Sequence, residues 1–182
     1  MRGDFDTALF YWINRGWEPL DGFFIFLSTG IRDWPLRVLL GVVFFAMLII
    51  GSRSRAAAIQ SAIAFPIANE LSDIVKNFLN SPRPCTELLD CRLLVDYLSS
   101  PGAMSAHAAA MAAVATVMCY RLGRWGWIWI VIAFLVGVSR VYVGAHYPSQ
   151  VLVGWMGGFL SGWVVIKVWD GVVYFIARKN SR

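Results

Sequence analysis

The sequence predicts an all-α integral membrane protein: a bundle of six transmembrane helices preceded by a helix lying in the membrane interface. Three observations carry this expectation. Of the 182 residues, 58% are hydrophobic and only 15% are charged, with a mean hydropathy of +0.61; a water-soluble domain of this size needs a more polar exterior. The apolar residues fall in runs close to the roughly 20 residues that cross a bilayer. The basic residues gather in the short segments between those runs, where they set the orientation of a membrane protein. Nine Trp and six Tyr suit the headgroup level, where amphipathic rings collect.

Taken in order, residues 4–15 place Phe5, Leu9, Trp12 and Ile13 on one helical face and Asp4, Asp6 and Arg15 away from it, the pattern of an interfacial helix. No basic run followed by an apolar core opens the chain, so no cleavable signal peptide is expected. The expected spans are 18–31, 34–51, 56–79, 105–120, 125–141 and 149–167, all within a single domain of 1–182. The first is the shortest and carries Asp21. The third ends in Asn69, Glu70, Asp73 and Lys76, of which three step at helical spacing; charges there are expected to face a protein interior or a water-filled cavity. The last carries Gly154, Gly157, Gly158 and Gly162, a small-residue face for close helix contact.

Arg53 with Arg55, Arg121 with Arg124, and Arg178, Lys179 and Arg182 form three basic clusters. With six spans, all three and the amino terminus fall on one side, which the positive-inside rule makes cytoplasmic. The loop 80–104 and the connection 142–148 then emerge together on the opposite, periplasmic side. The net charge of +5 is thereby a matter of topology, and with no basic stripe or binding-fold signal, nucleic acid is not an expected partner. Of three cysteines, Cys119 lies in an apolar run and reads as packing. Cys85 and Cys91 share the outward loop, where they could pair or remain free thiols.

The two histidines, His107 and His146, both fall at outward ends of expected spans. Lys76, Arg83 and Arg140 fall on the same side. A guanidinium offers paired donors that match phosphate oxygens, and Lys adds a compact charge. Ser105 and the backbone N–H groups opening the fourth span would complete an anion site. His, Cys and acidic residues show no ligand spacing, so no metal and no cofactor is expected.

Three motifs carry a family resemblance. Lys76-Asn-Phe-Leu-Asn-Ser-Pro-Arg83-Pro84 fits the K-x6-R-P motif of the type 2 phosphatidic acid phosphatases, Met104-Ser105-Ala106-His107 resembles their P-S-G-H, and Ser139-Arg140-x5-His146 matches their S-R-x5-H. They occur in the right order on spans three, four and five. The resemblance implies an enzyme that removes phosphate from a membrane lipid through a phosphohistidine. His146 would be the nucleophile, and His107 the acid and then the base. Lys76, Arg83, Arg140, Ser105 and the Ala106 N–H would hold the phosphate.

The sequence departs from the family in two places. Met104 and Ala106 replace Pro and Gly in the second motif. Gln150 stands where the family has an Asp that orients the nucleophile; its carbonyl can take the imidazole proton bond but brings no charge. Asp73, Glu70 or Asp96 could approach His146 instead. If the amide suffices, Gln150→Asp is expected to keep or raise turnover.

Relatives of this short form act on phosphatidic acid, phosphatidylglycerol phosphate, undecaprenyl pyrophosphate or lipid A. Outward Arg32, Arg37 and Arg92 exceed what one phosphate needs; they would serve a second phosphate, contact anionic headgroups or pair with Asp33, Glu87, Asp90 and Asp96. Lipid A, losing its 1-phosphate, is the substrate this favours. Competing readings are a lipid phosphotransferase sharing the phosphohistidine, and an anion transporter or channel. The transporter does not explain Ser-x-His and Arg-x5-His on one face. A vanadate-dependent peroxidase shares the pocket logic but not the membrane form. The sequence points to the bilayer and its phosphorylated lipid as partners and to no particular protein.

Overall fold

A computed structural model describes residues 4–16, 18–96 and 100–180. The described residues form α-helices and short 3-10 turns, with no strand among them: α1 (Asp4–Asn14), α2 (Asp21–Thr29), α3 (Trp34–Ile50), α4 (Ser52–Leu79), α5 (Pro84–Glu87), α6 (Ala106–Leu122), α7 (Trp127–Tyr142) and α8 (Pro148–Asn180). Five of these are long: α3, α4, α6, α7 and α8, matching the expected runs at 34–51, 56–79, 105–120, 125–141 and 149–167. The last is much longer than its run, at 33 residues, or about 50 Å by the helical rise.

α6 is the central strut because it is made of small residues. Ala108, Ala109, Ala113 and Val117 are fully buried, so the neighbouring backbones approach closely. Gly154, Gly158 and Gly162 of α8 run down it in parallel; a Cβ on Gly158 would stand 2.0 Å from the Ala109 carbonyl oxygen. α4 packs antiparallel on another face through Ala64, Ala68 and the partly buried Leu71. The 3-10 turn Gly123–Gly126 folds α7 back along α6. Length and apolarity mark Ala106–Tyr142, which is this hairpin, and Pro148–Asn180 as able to cross a membrane. Glu18–Thr29 and Trp34–Ile50 qualify only as a pair, bent by 55°.

The expected span at 18–31 is corrected by its contacts. α2 has nine residues, about 13 Å of helix against roughly 30 Å of hydrocarbon. Both of its ends are tied to the last turn of α7: Tyr142 Oη donates to Asp21 Oδ1 at 2.6 Å, and Arg140 Nη1 donates to the Ser28 carbonyl at 3.4 Å and to its hydroxyl. Between them Phe24 stacks on Tyr142, centroids 4.2 Å apart. α2 thus lies across the end of α7 instead of running beside it.

α1 sits at that same end. Asn14, fully buried, donates to the carbonyls of Arg92 and Tyr142 (2.8 Å each) and accepts from the Arg92 N–H (3.0 Å). Asp6 accepts from the Ser149 N–H (2.9 Å) and hydroxyl (2.6 Å), a carboxylate at the positive start of α8. Phe10 plugs between Ala108, Val141, Tyr147 and Val151, while Phe5 and Trp12 point outward. The amino-terminal helices therefore share the end that carries 80–96 and 142–148, not the end that carries Arg53, Arg121 and Arg178.

Candidate active site

The three motifs meet at this end. Ser72 Oγ donates to the Met104 carbonyl (3.1 Å), fixing the register of α4 against the start of α6. Lys76, one turn on, is thereby brought level with Ser105 and His107. Ser105 caps α6, its Oγ accepting from the Ala108 N–H at 3.5 Å. The N–H groups of Ala106 and His107 take no partner among the described residues, as expected of a helix start left open for an anion.

Between α7 and α8 the chain turns sharply. Arg140 O accepts from the N–H groups of Ala145 (3.0 Å) and His146 (3.1 Å). Gly144, at φ +80°, takes a left-handed conformation, and a Cβ there would meet the Arg92 carbonyl oxygen at 2.4 Å. This turn swings His146 inward, where it is 3% exposed.

His146 is held on both ring nitrogens. Nδ1 lies 3.1 Å from Gln150 Oε1 and 3.2 Å from the Gly102 carbonyl oxygen. Both are acceptors, so Nδ1 carries the proton. Nε2 is left with its lone pair, 3.2 Å from Arg83 Nη1, a donor. The amide of Gln150 has one possible orientation: Oε1 also accepts from the Tyr147 N–H (3.2 Å), and Nε2 donates to the Pro82 carbonyl (2.9 Å). Gly102 makes room for this side chain, since a Cβ on it would lie 2.9 Å from Arg83 Cγ and from the Gln150 amide. Burial, first, and then the charges of Arg83 and Arg140 hold the His146 imidazole well below its ordinary pKa, which keeps it neutral.

Arg83 is the hub of the loop that follows α4. Its Nε donates to Ser100 O (2.7 Å), Nη1 to Ala145 O (2.8 Å), and Nη2 to Ser100 Oγ (3.0 Å) and Pro101 O (3.3 Å). Beside it Cys85 and Cys91 are joined in a disulfide, Cα atoms 5.1 Å apart, resolving the two alternatives. Arg140 is 4% exposed, and its Nε is buried with no partner. An unpaired buried donor on a cation is costly unless a ligand meets it. Lys76 Nζ pairs with Asp73 at 2.9 Å. His107 stands within electrostatic reach of Arg140, Lys76, Arg32 and Arg83.

The match to known sequences covers the same ground. The model of the PAP2 superfamily fits residues 55–173, which include all three motifs. The chain belongs to the PAP2 superfamily. It is similar to an undecaprenyl-diphosphatase of Sulfolobus acidocaldarius, 32% identical over 88% of this chain and 75% of that one. It is similar also to a lipid A 4'-phosphatase of Bacteroides thetaiotaomicron, 27% identical over 97% of this chain and 78% of that one. Among solved structures it resembles LpxE of Aquifex aeolicus, with a TM-score of 0.75 and 27% identity over 91% of this chain and 97% of the other. As a member of this lipid phosphatase family it is a membrane-associated enzyme that hydrolyses phosphate esters.

Within the PAP2 frame, several expected residues stand differently from their sequence reading. Arg92 is turned away from the site: it donates to Asp21 at 2.6 Å and to the carbonyls of Asn14 (3.1 Å) and Gly16 (3.3 Å). Arg37 donates to the Arg32 carbonyl at 2.5 Å. Arg32 alone remains near the histidines, in an exposed pair with Asp96 at 2.9 Å, a geometry worth little energy. Asp73 is engaged with Lys76 and Asp96 with Arg32, and no acid in the described residues bonds His146. Gln150→Asp is now expected to lower turnover: Asp is one methylene shorter and has no N–H for the Pro82 carbonyl.

Sequence reasoning missed Ser28, which aligns Arg140 from above, and Gly102, which faces Nδ1. Ser28 lies far from every motif, and Gly102, only two residues before Met104, contacts His146 across 44 residues of sequence that no spacing rule links.

Proposed function

We propose that this PAP2 member is a metal-independent lipid phosphatase acting at the outer, periplasmic face of a bacterial inner membrane through a phosphohistidine on His146. The observation that carries it is the pair of acceptors on His146 Nδ1, which leaves Nε2 unprotonated beside Arg83. A phosphate entering there takes the Arg83 Nη1–H from Nε2 and meets the unpartnered Arg140 Nε, Lys76, Ser105 and the Ala106 N–H. Nε2 attacks phosphorus, the bond from phosphorus to the lipid oxygen breaks, and His107 supplies that oxygen with a proton. His107 then takes a proton from water, whose oxygen attacks phosphorus, breaks the N–P bond and frees inorganic phosphate. Gln150 orients His146.

The chain folds as one domain of 1–182 whose five long helices cross the bilayer. Its amino-terminal helices rest on the outer face and its carboxyl terminus is cytoplasmic. The basic clusters support this orientation. The lipid we favour is lipid A, losing its 1-phosphate: the similarity to a lipid A 4'-phosphatase supports the class, and one fully built phosphate clamp with Arg32 as a single outlying cation suits it. A second reading, undecaprenyl pyrophosphate, is favoured by the relative of 32% identity. The test is phosphate release from lipid A, undecaprenyl pyrophosphate, phosphatidylglycerol phosphate and phosphatidic acid, in chelator, beside His146→Ala. Chelator-resistant release that vanishes in the variant is expected, highest on lipid A. Equal release by the variant overturns the nucleophile, and preference for another lipid overturns the substrate. Release only on adding a lipid acceptor makes the enzyme a phosphotransferase.

A further inference from the structure

On the lipid-facing side of α6, α7 and α8, an apolar groove of about 590 Å³ runs along the helices. It exists because small side chains cannot fill the space between diverging neighbours. Ala112, Ala115 and Ala133 form its floor, and Phe134, Trp155 and Trp163 its walls. Near the site end α7 and α8 touch, with Gly137 admitting the Trp155 ring; further down no glycine draws them together. Trp155 and Trp163 are eight residues apart, so the walls run for about 12 Å. The hydroxyl of Thr116 in the floor is already bonded to the Ala112 carbonyl, 2.8 Å away. The groove accordingly offers an apolar chain contact and asks for no polar partner.

Its inner mouth, at the basic end of the bundle, is charged. Tyr120 and Trp163 meet edge to face, centroids 6.1 Å apart, and Lys167 Nζ lies 4.6 Å from the Trp163 ring centre. Asp170 accepts from Arg121 (2.5 Å) and from Tyr120 (3.0 Å). Lys167 is exposed and lies within electrostatic reach of Asp170 without pairing with it directly. Arg124, exposed over Trp125, adds a second cation at this end. An apolar trench ending in exposed cations is complementary to one kind of molecule in its surroundings, an amphiphile with a hydrocarbon chain and an anionic head.

We propose that this groove holds one acyl chain of an anionic glycerophospholipid from the cytoplasmic leaflet, with its phosphate on Lys167. The site is separate from the catalytic one, opening midway along α8, toward the end of the bundle that carries Arg121. The proposal rests on the orientation given above but not on the phosphohistidine.

The test uses the full chain in detergent, supplied with phosphatidylglycerol or with phosphatidylethanolamine of the same acyl chains. Native mass spectrometry counts retained lipid, and phosphate release by the same samples is read separately. Phosphatidylglycerol is expected to stay bound and the zwitterionic lipid to be lost. Lys167→Ala should weaken retention about fivefold, the attraction of one basic residue to an anionic surface, whereas Arg55→Ala at the same end should not. Ala115→Phe, which fills the floor, should abolish retention, and Lys167→Ala, on the surface, keeps the test clear of misfolding. Equal retention of the two lipids, or retention unchanged by Lys167→Ala, overturns the proposal, whatever the catalytic activity.

Discussion

The surroundings of His146 and of His107 are opposites. Around His146 every polar ring atom is engaged, the orienting amide is itself anchored at both ends, and burial is nearly complete. His107, half-buried at the open start of α6, makes no hydrogen bond among the described residues. The difference fits two tasks. A nucleophile gains from being held in one tautomer and direction before substrate arrives. A group that gives a proton to one oxygen and takes it from another must serve two positions.

The contrast breaks most completely at His146. His146→Ala should lower single-turnover phosphate release by about 10⁴-fold or more, as loss of a nucleophile does elsewhere. His107→Asn should cost about 10²- to 10⁴-fold, with a different signature: phosphorylated enzyme still forms, slowly because the leaving oxygen gets no proton, and then persists because water is no longer activated. Rapid-quench time courses separate the two. If His107→Asn accumulates none, the division of labour between the histidines fails.

Gln150 sharpens the comparison. Gln150→Asp should lower kcat about tenfold, the cost of losing the amide's bond to the Pro82 carbonyl and its reach to His146, while Gln150→Glu keeps the length and adds charge. The sign of the pH effect follows from His146. Its folded pKa is depressed by burial, Arg83 and Arg140, so the neutral form persists below about pH 6.5, the ordinary imidazole value. The rate should fall in acid only beneath that value, and the stability contributed by neutral His146 is lost as pH falls through its folded pKa. A carboxylate at 150 favours the imidazolium, so Gln150→Glu should move the acid limb upward; an unmoved limb would show that residue 150 does not act on the ring.

The smallest effect is expected at Ser28, outside every motif. Ser28→Ala removes an acceptor from Arg140 and should raise KM several-fold with kcat nearly unchanged, consistent with a hydrogen bond to a charged group. A fall in kcat with KM constant would instead place α2 in the chemical step.

Much of this was legible in the sequence because it is local. Apolar runs of span length located α3, α4, α6, α7 and α8, and the glycines of α8 announced its contact with α6. The motif spacings named Lys76, Arg83, His107, Arg140 and His146. The segment 18–31 misled because its apolar residues satisfy a hydropathy rule while tertiary contacts decide its direction. Asp21, an awkward charge for a span, is the partner of Arg92 and Tyr142 at the end of the bundle that carries the site. Arg92 misled for the same reason, a spare cation in sequence that is spent holding down α1 and α2. Asn14 and Ser28 act only through residues more than 75 positions away, a pairing that periodicity and spacing do not encode.

The most direct test is to locate the phosphoryl group. His107→Asn and unaltered enzyme would be mixed with lipid phosphate in chelator, quenched in alkali to preserve N–P bonds, and mapped by peptide mass spectrometry. A phosphoryl group on the peptide carrying His146, transient in the unaltered enzyme and persistent in His107→Asn, is the predicted result. Phosphate on another residue, or turnover with none on His146 in either protein, would contradict it.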